Sequence, residues 1–184
     1  MPLLFQYGSN CDASRLKRRL GDADDLGRAQ TMDEYDLVFD VWSQGNGCAA
    51  SDLLRAPETG HRAWGVLYRI SDSGLALLRR FEGKHYAEQS IALTGGEGAT
   101  FEDSVITFLV KPDHRREGLW TSAEYVGHIV DGLRAHGVPE EYVQRVIDTA
   151  IKTNRKAAKA ADDESGLIIG LRHPSGLDSE PHPK

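Results

Sequence analysis

The constraint that most limits this chain is a change of period along it. Up to about residue 110, apolar residues come in short buried runs or alternate one-on, one-off, as strands require; from residue 121 they recur at helical spacing between caps. Leu3 to Tyr7 is a mostly apolar run ending at Gly8-Ser9-Asn10, which predicts a buried strand entering a turn. Asp12 or Ser14 then caps a short helix to Leu20 with a basic outer face. Tyr35, Leu37, Phe39 and Val41 alternate on one face of a half-buried strand, followed by a Gly-rich loop over Ser43 to Gly47. Ala63–Ile70 and Ser104–Val110 also read as strands, and Leu75, Leu78 and Phe81 between them have helical spacing. Thr121-Ser122-Ala123-Glu124 has the form of a capping box led by the Thr hydroxyl. Its helix stops at His136-Gly137, and Pro139 opens another with the stripe Tyr142, Val143, Val146, Ile147, Ala150 and Ile151. From Lys152 the stripe gives way to Lys, Arg and Ala, and Gly166–Leu171 is an apolar patch expected to pack back on the body. The fold class is mixed α/β (α+β).

A chain of 184 residues fits one domain with a tail, and no apolar run approaches the ~20 residues of a membrane-spanning helix. Its net charge of −6, without a long basic block, argues against nucleic acid or an anionic membrane as main partner. The opening MPLLFQYGSN lacks the marks of a secretory signal, and two cysteines make no CxxC, so a cytoplasmic protein with reduced thiols is expected.

The familiar catalytic templates are missing: there is no GxxxxGK[ST], GxSxG or HExxH. The seven His show no metal spacing; His128 and His136 lie eight apart on one helix. Cys11 reads either as a nucleophile or as inert core. Two stretches stand out. Tyr7-Gly8-Ser9-Asn10 places a glycine, a hydroxyl and an amide after a buried strand, either as an anion-binding nest or as an ordinary helix-capping turn. Glu82-Gly83 follows core residues, so Glu82 is either a desolvated carboxyl with a raised pKa or an exposed residue before a glycine helix stop.

Together these stretches resemble the gamma-glutamylcyclotransferases. The family's opening Tyr-Gly-Ser-Asn is Tyr7–Asn10, its Trp-Gly-Val strand is Trp64-Gly65-Val66, and its catalytic Glu-Gly pair is Glu82-Gly83. Its Ser-x-x-Tyr helix start is Ser122–Tyr125, and its Gly-Val-Pro-x-x-Tyr is Gly137–Tyr142. The resemblance implies a small closed β-sheet or barrel with flanking helices over residues 1–153, leaving 154–184 as a helix end and tail without assigned role. It also implies release of 5-oxoproline from a gamma-glutamyl amino acid, peptide or amine, without metal or cofactor. Glu82 would be the general base and acid. Tyr7, Gly8, Ser9, Asn10, Cys11, Tyr86 and Tyr125 would form the substrate pocket, with Trp42–Cys48 a further polar loop to line it. Cys11 departs from the family's usual Leu, and Gln6 from a small or apolar residue. Relatives include dimers, so the resemblance leaves a homodimer open. Two other readings remain: a non-catalytic small-ligand binding module on the same scaffold, and an acyltransferase that removes a gamma-glutamyl protecting group from an amine natural product.

Overall fold

The computed structural model describes residues 1–165. Five strands close a barrel in the order β1 (Leu3–Gln6), β5 (Trp64–Arg69), β2 (Asp24–Thr31), β6 (Tyr86–Gly95) and β7 (Thr100–Val110). All pairs are antiparallel except the closing one, where β1 runs parallel to β7 with Leu3 opposite Val105. Closure leaves no free edge between these strands. β3 (Tyr35–Ser43) and β4 (Cys48–Arg55) form a separate hairpin. Helices α1 (Ala13–Leu20) and α2 (Asp72–Glu82) flank the barrel; α3 (Ala123–Ala135) and α4 (Glu140–Ser165) follow it. The core contains Leu4, Phe5, Val66, Tyr68, Leu93 and Val105 from the barrel, and Ile129, Leu133 and Val143 from the late helices.

The mixed α/β class and the small closed sheet are as expected. β3 shows the alternation directly, with Tyr35, Leu37, Phe39 and Val41 buried. Three strands are additions to the sequence reading. β2 and β6 are polar and largely exposed over their first halves, and β2 carries a register shift between Asp25 and Arg28. β4 is buried on both faces from Cys48 to Leu53, so it has no alternation to read.

Two local expectations are corrected. Ser122, not Thr121, caps α3: its Oγ accepts from the Tyr125 amide at 3.1 Å. Thr121 is buried instead, its hydroxyl donating to the Ala49 carbonyl at 2.8 Å. Phe81 is 53% exposed rather than a core partner of Leu75 and Leu78. The Lys- and Ala-rich stretch beyond Lys152 continues α4 to Ser165, in keeping with its strong helix formers. Within it Asn154 is buried and clamps Thr121, accepting from its N–H at 2.8 Å and donating to its carbonyl at 3.0 Å. The apolar patch Gly166–Leu171 lies outside the described residues. Among the described residues, no helix is long and apolar enough to cross a membrane.

Candidate active site

β1 delivers the chain to Tyr7, whose buried hydroxyl donates to the Phe108 carbonyl of β7 at 2.6 Å. Gly8 follows at a close approach: a Cβ there would stand 2.5 Å from the Ser51 Oγ of β4, so only glycine fits unless Ser51 moves. Ser9–Cys11 then form a 3-10 turn, closed by the amides of Cys11 and Asp12 donating to the carbonyls of Gly8 and Ser9. The N–H groups of Ser9 and Asn10 open this turn and have no acceptor within it. Asn10 ties it to its surroundings, donating to Gln6 Oε1 at 2.9 Å and accepting from Arg19 Nη1 at 3.0 Å. Behind the turn lies Gly132 of α3, where a Cβ would meet the Cys11 carbonyl carbon at 2.2 Å. The sequence reading passed over Gly132, which lets the helix back directly against the turn.

Opposite, α2 is capped by Ser71 and ends at Glu82, because Gly83 turns the backbone to φ +61° and donates to the Arg79 carbonyl. The glycine stop is therefore real, yet Glu82 is half-buried rather than exposed. Its carboxyl lies among Tyr7, Tyr86 and Tyr125, and burial pushes its pKa from 4.5 up to about 7, with Arg19 pulling the other way. Tyr125 sits in the first turn of α3, its hydroxyl 3.1 Å from both the Ser51 amide and the Ser51 Oγ. Tyr86 opens β6, and its hydroxyl donates to the Ser51 carbonyl at 3.3 Å. The two tyrosines thus satisfy the backbone of Ser51 where no further strand pairs β4. Burial raises the pKa of all three tyrosines, so they are neutral hydrogen-bonding groups at ordinary pH.

Between these walls lies a pocket of about 580 Å³. It brings together Glu82 with Tyr7, Gly8, Ser9, Asn10, Tyr86 and Tyr125, and the hairpin residues Trp42 to Asn46 close one side. Cys11 does not line it. Its thiol is fully buried, donates to the Gln6 carbonyl at 3.1 Å and is pushed further from ionising by burial, so it is a packed core residue. Ser51, Arg15 and Arg19 line the pocket but were not singled out from sequence. Ser51 arrives on a strand with no sequence signature. The two arginines are four apart and so share a helix face. That spacing was a usable signal, hidden because Lys17 and Arg18 make the same helix look uniformly solvated.

The fold and site together define a closed barrel with one desolvated carboxyl facing a backbone turn across a pocket. The chain belongs to the Gamma-glutamyl cyclotransferase, AIG2-like family, whose sequence model matches residues 4–126. Family and fold together indicate a gamma-glutamyl cyclotransferase-like activity. Among solved structures, one described as a gamma-glutamyl cyclotransferase is similar with a TM-score of 0.70 and 24% identity, over 79% of this chain and 85% of that one. An uncharacterized protein from Homo sapiens gives 0.69 and 24%, over 78% and 85%. YkqA from Bacillus subtilis gives 0.68 and 24%, over 83% of this chain and 55% of its own. These likenesses establish the fold. No curated protein sequence matches the chain.

Proposed function

We propose that this chain releases 5-oxoproline from a gamma-glutamyl compound, with Glu82 as the general base and acid. The observation that carries the reading is the Glu82 carboxyl, held near neutrality by burial and facing the Tyr7–Asn10 turn across one pocket. The reaction is internal: the substrate's α-amine attacks its own γ-carbonyl, a five-membered ring closes, and the amide C–N bond breaks. At pH 7 the amine is an ammonium and cannot attack, so a base has to remove its proton. A carboxylate with a pKa of about 7 accepts that proton and can then return one to the departing nitrogen. Ammonium and amide N–H become lactam N–H and a departing ammonium, so no net proton is consumed and Glu82 ends as carboxylate. The N–H groups of Ser9 and Asn10, which have no acceptor within the turn, suit the substrate's α-carboxylate or the developing oxyanion. Tyr86 and Tyr125 wall the pocket, and holding the substrate folded contributes through proximity.

The test is to incubate the purified protein with gamma-glutamyl amino acids, gamma-glutamyl amines and glutathione and to follow 5-oxoproline. Glu82→Gln keeps the shape but cannot take the ammonium proton, so turnover should fall by roughly 10²–10⁴ with the circular dichroism unchanged. No 5-oxoproline from any substrate, with a folded protein, would refute the reading and favour a binding module.

A further inference from the structure

The pocket is electrostatically at odds with the molecule around it. The chain carries a net charge of −6, yet the described residues lining the pocket include Arg15, Arg19 and Lys84 and only one carboxyl, Glu82. Elsewhere arginines meet acids, as in Arg55–Asp33, Arg79–Glu88 and Arg134–Glu140. The two half-buried pocket arginines make no such direct ion pair among the described residues, and only Arg19 lies near enough to Glu82 to feel its charge. Arg15 Nη2 donates to Asn46 Oδ1 at 2.7 Å and Arg19 Nη1 to Asn10 Oδ1 at 3.0 Å, both neutral amide oxygens. Asn46 is itself fixed by donating to Ser43 Oγ at 2.7 Å, so the hairpin loop presents Arg15 in a set position. The buried Arg15 Nε has no acceptor among the described residues. Holding the Arg15 guanidinium partly out of water without an anion is costly, and a ligand carboxylate offers the missing acceptor.

The gamma-glutamyl half of a substrate cannot supply all of that charge, since its α-amine and α-carboxylate cancel. On the reading that this is a cyclotransferase pocket, we propose that Arg15, with Lys84 adding positive charge, receives a carboxylate on the departing half of the substrate. The chain then acts on gamma-glutamyl compounds whose leaving amine is an amino acid or short peptide, best an acidic one, in preference to gamma-glutamyl amines. Arg15 is a specificity residue here and takes no part in proton transfer.

The experiment compares kcat/KM for gamma-glutamyl-glutamate, gamma-glutamyl-alanine and gamma-glutamyl-butylamine. The expected order is the order given, with at least about tenfold between first and last, the gap narrowing at high salt. Arg15→Gln should lower the glutamate-to-butylamine ratio by about ten- to a hundredfold, as loss of a charged hydrogen-bond partner implies, and Arg15→Lys should recover part of it. Equal rates, or preference for butylamine in the wild-type protein, would overturn the inference whatever the variants do. N-glutaryl-glutamate and N-glutaryl-butylamine, which lack the attacking amine, separate this inference from the reaction itself. Tighter binding of the first without turnover of any gamma-glutamyl substrate would defeat the cyclotransferase reading alone. Turnover without discrimination would defeat the anion site alone.

Discussion

Glu82 is the residue where environment does most to change chemistry. An exposed glutamate would be ionised and a poor proton donor at pH 7; burial raises this one to about 7, and Arg19 limits the rise. As base it has to be ionised, so the rate should climb as pH passes through about 7. Arg19 supplies a second, independent check. Its positive charge favours the carboxylate, so Arg19→Gln, which can keep a donor toward Asn10, removes the opposing influence and moves the pKa of Glu82 higher. The acidic limb of the pH–kcat profile should therefore shift to higher pH than in the wild-type protein. A limb that stays in place, or shifts downward, would mean that Glu82 does not govern it. That direction distinguishes an electrostatic role for Arg19 from general damage to the pocket, which lowers rate without moving the limb.

At the scale of elements, the site depends on the contact between α3 and the 3-10 turn. Gly132 presents no side chain, and an added Cβ would collide with backbone atoms of Cys11 and Asp12 at 2.2–2.5 Å. Backbone cannot swing aside as a flexible side chain can, so Gly132→Ala should push the helix off the turn at a cost of about 3 kcal/mol. Urea unfolding would read the stability loss, and turnover should fall as well, because the same turn carries Ser9 and Asn10. An alanine variant with wild-type midpoint and activity would show that the helix can shift freely. The sequence announced the two ends of this contact unequally. The strand-to-turn step at Tyr7–Asn10 and the start of α3 are local patterns and could be read, although the cap falls on Ser122 and not on Thr121. Gly132 sits mid-helix with nothing beside it to indicate a chain crossing 120 residues distant. Ser51 was illegible for the same reason, since its neighbours Gly8, Tyr86 and Tyr125 are remote in sequence and β4 is buried on both faces. Cys11 misled in the other direction: adjacency to the loop suggested the pocket, but the turn of the 3-10 segment carries its side chain inward.

For the molecule as a whole, the proposed activity and the folding stability pull pH in opposite directions. Glu82 has a folded pKa of about 7 against an ordinary 4.5, and Asp40 one of about 6 against 3.8, both raised first by burial. Between the ordinary and the raised values the folded chain holds a proton that the unfolded chain has released, so stability falls as pH rises through that window. Ionised Glu82 should cost about 1–3 kcal/mol once the window is passed, allowing for partial exposure. Asp12, Glu88 and Glu140 are lowered by their partners and contribute the reverse slope at more acidic pH, so the raw stability curve mixes both. The difference between Glu82→Gln and wild type isolates the one group. It should be near zero at about pH 4.5 and grow to a higher melting temperature for the variant at pH 8, by a few degrees for a chain of this size. A variant no more stable than wild type at pH 8 would mean that burial does not penalise the carboxylate. The proposed base would then lose the property that fits it to take a proton from an ammonium near neutrality and return one to the leaving nitrogen.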